Sequence, residues 1–132
     1  MRVTATRIQK MFAVNYDKDN NCLNVVVKGF WKPEDVALLA SEVGSKANAA
    51  RGIRQDFDAC VESLEFPVQA MDVANLLTAI MQGAMALTTG RAAVVVGSQL
   101  NKLQAERTLV HERVRMFLSS GEAREWLAAP AD

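Results

Sequence analysis

The chain has 132 residues, enough for one domain with its own core. Its 15 Lys and Arg balance 15 Asp and Glu, so no net field draws it to nucleic acid or to an anionic membrane surface. Cys22 and Cys60 are too few and too far apart for a disulfide framework and read as reduced thiols in a cytoplasm.

The first ten residues, "MRVTATRIQK", are positively charged without an apolar run behind them, so no secretory signal is expected; they read as an N-terminal extension or the start of the first strand. "MFAVNYD" and "CLNVVVKGF" are β-prone runs separated by the turn formers Lys18 to Asn21, the pattern of a hairpin. The next segment, "WKPEDVALLASEVGSKANAAR", predicts a long helix. Pro33 suits its first turn, Glu34 and Asp35 sit at the positive end of its dipole, and Val36, Leu39, Ala40 and Val43 share a face.

From Phe57 to Leu64 the residues alternate again, and Pro67 to Leu87 has helical periodicity closed by Thr88, Thr89 and Gly90. Asn75, Gln82 and Gly83 interrupt its apolar stretch, which falls short of the roughly 20 residues a membrane span requires. "AAVVVGS" is continuously apolar, as in a strand with neighbours on both sides, and Ser98 can cap a helix bearing Leu100, Leu103 and Val110. Last come the strand "VRMFLS" and a helix in which Ser119 and Glu122 have capping-box spacing ahead of Ala123, Trp126 and Leu127.

The order β-β-α-β-α-β-α-β-α predicts a single α/β domain over residues 1–132, with a five-stranded mixed sheet, four helices and parallel strands after the hairpin. In the third strand Phe57, Ala59 and Val61 oppose Asp56, Asp58, Cys60 and Glu62; in the last, Val114, Met116 and Leu118 oppose Arg113, Arg115 and Phe117. Unpaired buried charge is costly. The charged sides therefore predict helices mainly on one face and a polar, solvated face opposite.

With "GFWKPEDV" after the hairpin and "RAAVVVGS" before the third helix, this order resembles the STAS family over roughly residues 11–129. That family includes sulfate-transporter cytoplasmic domains, the sporulation anti-sigma-factor antagonists and uncharacterised bacterial relatives. The resemblance implies a regulatory interaction module. In the antagonists the loop after the third strand carries an Asp-Ser-Ser-Gly or Asp-Ser-Thr-Gly motif, whose hydroxyl a partner kinase phosphorylates. The matching stretch here, Pro67-Val68-Gln69-Ala70, has neither hydroxyl nor glycine. Ser63 is the nearest candidate for regulated phosphorylation, against a rigid turn in which Pro67 sets the helical φ.

Other candidate sites are weaker. Asp17, Asp19 and Asn21 have the opening spacing of a calcium loop, but Cys22 replaces its glycine and Lys28 its closing glutamate, leaving a solvated turn. His111 has no cysteine near it in sequence, and Cys60 lies between Asp58 and Glu62, which oppose thiolate formation. Gly97 and Ser98 open a helix and form a candidate anion site, though a plain N-cap accounts for them as well.

The methionine-rich helix is more informative. Val73, Leu76, Leu77, Ile80, Ala84 and Leu87 form its expected core stripe, and Ala74, Thr78, Met81 and Met85, with Met71 beyond them, form a strip beside it. That strip is a candidate surface for a protein partner or self-association, unless a neighbouring helix covers it. The residues thus predict a cytoplasmic, non-catalytic interaction module without cofactor. The alternative is a carrier or sensor holding a small apolar or lipid-like ligand.

Overall fold

The structure is a computed structural model that describes residues 11–130. The first ten residues, read above as an extension or strand start, lie outside the described residues. The elements are β1 (Phe12–Asp17), β2 (Cys22–Lys28), α1 (Pro33–Ile53), β3 (Asp58–Glu65), α2 (Met71–Met85), β4 (Ala92–Val96), α3 (Gln99–Thr108), β5 (Val114–Phe117) and α4 (Ser120–Ala128). The chain is α/β with the predicted order. Sheet order follows chain order, with β1 antiparallel to β2 and the remaining neighbours parallel.

Each of three crossovers steps one strand in the same direction, so crossovers of one hand place α1, α2 and α3 on the same face. Register rows define that face: Leu23, Ala59, Ala92 and Val114 form one row, and Val25, Val61, Val94 and Met116 the next. Val36, Leu39, Val43, Ala47 and Ala50 of α1 pack over its β1–β2 half, and Ala105 and Leu109 meet Val94, Val96 and Met116 at the other end. Trp31 and Phe57, each 1% exposed, anchor the core; Trp31 meets Phe66 edge-on at 5.4 Å and donates Nε1–H to Lys28 O at 2.6 Å.

The opposite face differs from the solvated surface that its charges suggest. α4 lies over β3, β4 and β5, burying Cys60, Ala93 and Val95 under Ala123, with Phe117, Trp126 and Leu127 around them. Val95 and Ala93 supply apolar area that the charged residues of β3 and β5 masked. Those charges lie around the helix: Glu62 pairs with Arg124 of α4 at 3.5 Å, and Arg115 and Arg91 approach the Trp126 ring at 5.4 and 4.6 Å. Arg113, expected in solvent, is half-buried, and donates to the carbonyls of Met85, Thr88 and Gly90. Ala13 and Asn15 on the β1 side remain exposed. Helices thus lie mainly on one face, three against one.

Candidate functional site

Two features surround α2: the loop before it and the space beneath it. The loop differs from the sequence expectation. Pro67 does not start the helix, which begins at Met71 after an Ala70 N-cap with φ −61° and ψ 155° and no side-chain cap. Residues 66–70 form neither helix nor strand and are tied down by Gln69, a buried residue that the sequence reading passed over. Trp31 N–H donates to Gln69 Oε1 at 2.8 Å, and Gln69 Nε2 donates to Gly29 O at 3.0 Å and Pro67 O at 2.7 Å. The amide thus accepts one hydrogen and donates two; the bonds to Trp31 and Gly29 join two loops distant in sequence, and the one to Pro67 closes the loop on itself.

Ser63 lies beside this loop but offers no free hydroxyl. It is 6% exposed, and its Oγ donates to Val95 O at 2.6 Å, bracing β3 against β4. Gly97 and Ser98 are accounted for locally. A Cβ at Gly97 would stand 2.5 Å from Leu64 O, and Ser98 Oγ accepts from Asn101 N–H at 3.1 Å as an N-cap. Gly90 is likewise required by close approach to Phe57 O, and not as the stop of α2, which ends at Met85.

At this end of the sheet large apolar side chains remain in solvent: Phe30 (64%), Leu64 (51%), Val68 (39%), Met71 (68%) and Leu100 (68%). Their loops are joined. Gly29 N–H donates to Glu65 O at 2.9 Å, Trp31 N–H to Gln69, and Asn101 Nδ2 to Phe66 O at 3.3 Å.

Of the methionine strip, only Met71 joins that surface. Ala74 and Met85 are buried, and Thr78 Oγ1 donates to Thr108 O at the end of α3. The strip is covered because α3 stands beside it, and the helix is rotated so that Leu76, expected in the core, is 42% exposed.

Met81 and Met85 instead face a cavity of about 140 Å³ between α2 and the sheet. Leu77, Ile80 and Ala84 share its roof, and Val25, Ala59, Val61, Ala92 and Val94 its floor. Every lining side chain is apolar. A cleft of about 510 Å³ between α1 and α2 adjoins it, with Val43, Ile80 and Ala84 common to both.

The titratable groups give little chemistry. Burial, with smaller contributions from the Cys60 thiol and Asp58, pushes Cys22 up to about 12, and burial also raises Cys60. Burial raises Asp58 too, although its Oδ1 accepts the Arg91 N–H at 2.9 Å. His111 Nδ1 accepts from Arg113 N–H at 3.0 Å, as part of a turn. Asp17 is held below the usual carboxylate range by Asn20 and shapes the hairpin turn. Among the described residues no group of three or more His, Cys, Asp or Glu is placed to hold a metal, and no helix is long and apolar enough to cross a membrane.

No family model and no curated protein sequence matches the chain. Among solved structures it is similar to an uncharacterised protein of the DUF3478 family from Shewanella loihica PV-4, described as having a SpoIIAA-like fold. The two share 16% identity at a TM-score of 0.66, over 89% of this chain and 94% of the other. At that identity the likeness establishes architecture: the chain has the SpoIIAA-like, STAS-like fold that its order of elements resembles.

Proposed function

We propose that the protein is a cytoplasmic, non-catalytic interaction module that binds a protein partner or a second copy of itself. Its contact surface is the end of the sheet bearing Phe30, Leu64, Val68, Met71 and Leu100. The exposure of these five side chains on mutually bonded loops carries the reading, because large apolar groups gathered at one end mark contact surfaces. The contact is not switched by phosphate on residues 67–70, which have no hydroxyl. Inert buried thiols and a histidine engaged in a turn support a non-catalytic role.

The test pairs sedimentation with crosslinking. If the contact is with itself, the wild type sediments as a dimer, and the Phe30→Glu, Met71→Glu double variant as a folded monomer. If it is with another protein, a photoreactive residue at 71 captures one species in cell extract that the same residue at exposed Asn48 does not. A monomer with no position-specific capture refutes the reading.

A second reading, a carrier or sensor of a small apolar or lipid-like ligand, is favoured by the apolar cavity beneath α2. Under it, ligand contact lies at Met81 and Met85 and not at the exposed end.

A further inference from the structure

We propose that the space beneath α2 binds a compact, uncharged hydrocarbon, one six-membered ring in size; this rests on the second reading and narrows it to one cavity and one ligand class. The first observation is the height of α2. α1 closely approaches β1 and β2, α3 approaches β4 and β5, and α4 approaches β3, β4 and β5, whereas the main neighbours of α2 are α1 and α3. A crossover helix ordinarily packs directly on the strands that it joins. Here the floor remains open. Ala59 and Val61 lie mid-strand on the covered face, yet are half-exposed, while Val25 and Val94 beside Val61 are buried.

Polar ties keep α2 at that height. Gln69 fixes the loop at its amino end, and Thr78 bonds to Thr108 O along its side. At the carboxyl end, Arg113 donates to Met85 O at 3.0 Å and Arg51 donates to Leu87 O at 2.8 Å.

The chemistry of the occupant follows from the walls. Water in a buried site requires two to four polar partners, and no lining side chain supplies one. An enclosed apolar cavity of about 150 Å³ stays dry and accommodates a benzene-sized molecule; the space here has a similar volume, 140 Å³, and opens on the side of the α1–α2 cleft. A carboxylate or ammonium would enter without a partner. A fatty acid would therefore have to keep its head, and with it most of its chain, in the α1–α2 cleft. Access runs through that cleft past Val43, Ile80 and Ala84, and the flexible Met81 lets the cavity adjust to shape.

The test uses the full chain, with benzene and decanoate as probes, followed by methyl NMR and thermal melting. Benzene should raise the melting temperature and shift the methyls of Ala59, Val61, Met81 and Met85. Ala59→Leu, which fills the cavity from its floor, should weaken benzene binding at least tenfold. Gly83→Leu, where a Cβ meets nothing within 4 Å in the cleft, should change it less than twofold. Ala59→Val replaces the larger variant if that fails to fold, with a smaller loss expected in the same direction.

Benzene binding that survives the Ala59 substitution but is lost in Gly83→Leu places the ligand in the cleft; the proposal then fails while the second reading stands. The same holds if decanoate binds and benzene does not. If neither probe binds, both fail.

Discussion

Replacing Gln69 by Ala tests whether the loop before α2 is locked as described. The change strands the backbone N–H of Trp31, a residue only 1% exposed, and frees the carbonyls of Gly29 and Pro67, both of them exposed residues. A buried donor left without a partner costs about 1–3 kcal/mol, and each partly wetted carbonyl costs roughly 0.5 kcal/mol. The expected loss is therefore about 2–4 kcal/mol, or roughly 8–16 °C in melting temperature for a domain of this size. Urea unfolding followed by tryptophan fluorescence gives the number directly, provided the slope is unchanged. Gln69→Glu sharpens the test, since it keeps the acceptor for Trp31 but turns a carboxylate toward two carbonyls. Burial against those carbonyls raises that carboxyl above its unfolded value. The variant should then gain stability as pH falls through the raised folded value and lose it as pH rises. A loss below 1 kcal/mol for Gln69→Ala, or a Glu variant insensitive to pH between 4 and 7, would refute the lock.

Other substitutions probe the remaining assignments. Met85→Glu, at a position 2% exposed, should cost at least about 3 kcal/mol or prevent folding, while Met71→Glu, at 68%, should stay within about 0.5 kcal/mol; circular-dichroism melts with equal shifts would contradict the inward placement of the strip. Asp58, raised by burial, favours folding most when protonated and loses that contribution as pH rises through its folded value. Asp58→Asn keeps an acceptor for the Arg91 N–H and should therefore gain on the wild type as pH climbs from the ordinary aspartate range, with no gain at lower pH; a pH series of melts decides it. Cys22 and Cys60 should resist iodoacetamide at pH 8 in the folded protein and react fully in denaturant, as mass spectrometry would show.

Local signals were legible where local chemistry decides. Pro33 occupies the first turn of α1, Ser98 and Ser119 each accept the N–H three residues on, and the "AAVVV" run is buried throughout β4. Non-local partners were not. Pro67 has the sequence signature of a helix start, but Gln69 bonds to residues 38 and 40 positions away and keeps the loop out of the helix. Periodicity placed Ala74, Thr78 and Met85 on one strip without saying that α3 would stand beside it. The helix over the charged face left a trace that the charges outweighed, since Ala93 and Val95 are as apolar as their alternates Ala92, Val94 and Val96. The height of α2 left none beyond the small residues Ala59, Ala84 and Ala92 around the cavity.

That height has an energetic consequence. At about 24 cal/mol per Å³, a space of 140 Å³ costs at most roughly 3 kcal/mol in lost contacts. The bonds from Arg113, Arg51, Gln69 and Thr78 are each worth about 1 kcal/mol net, and settling α2 onto the sheet would strain or break several of them at once. The two sums are comparable, so suspending the helix by its ends and side can hold the void open. A molecule entering such a space gains dispersion contacts without displacing packed side chains or bonded water. Phe66 connects this space to the exposed end, because it lines the cavity and meets Trp31 edge-on, while Pro67 and Val68 after it are exposed. An occupant that pressed on Phe66 would act on the segment that carries the Gln69 bonds, with Val68 and Met71 immediately beyond it.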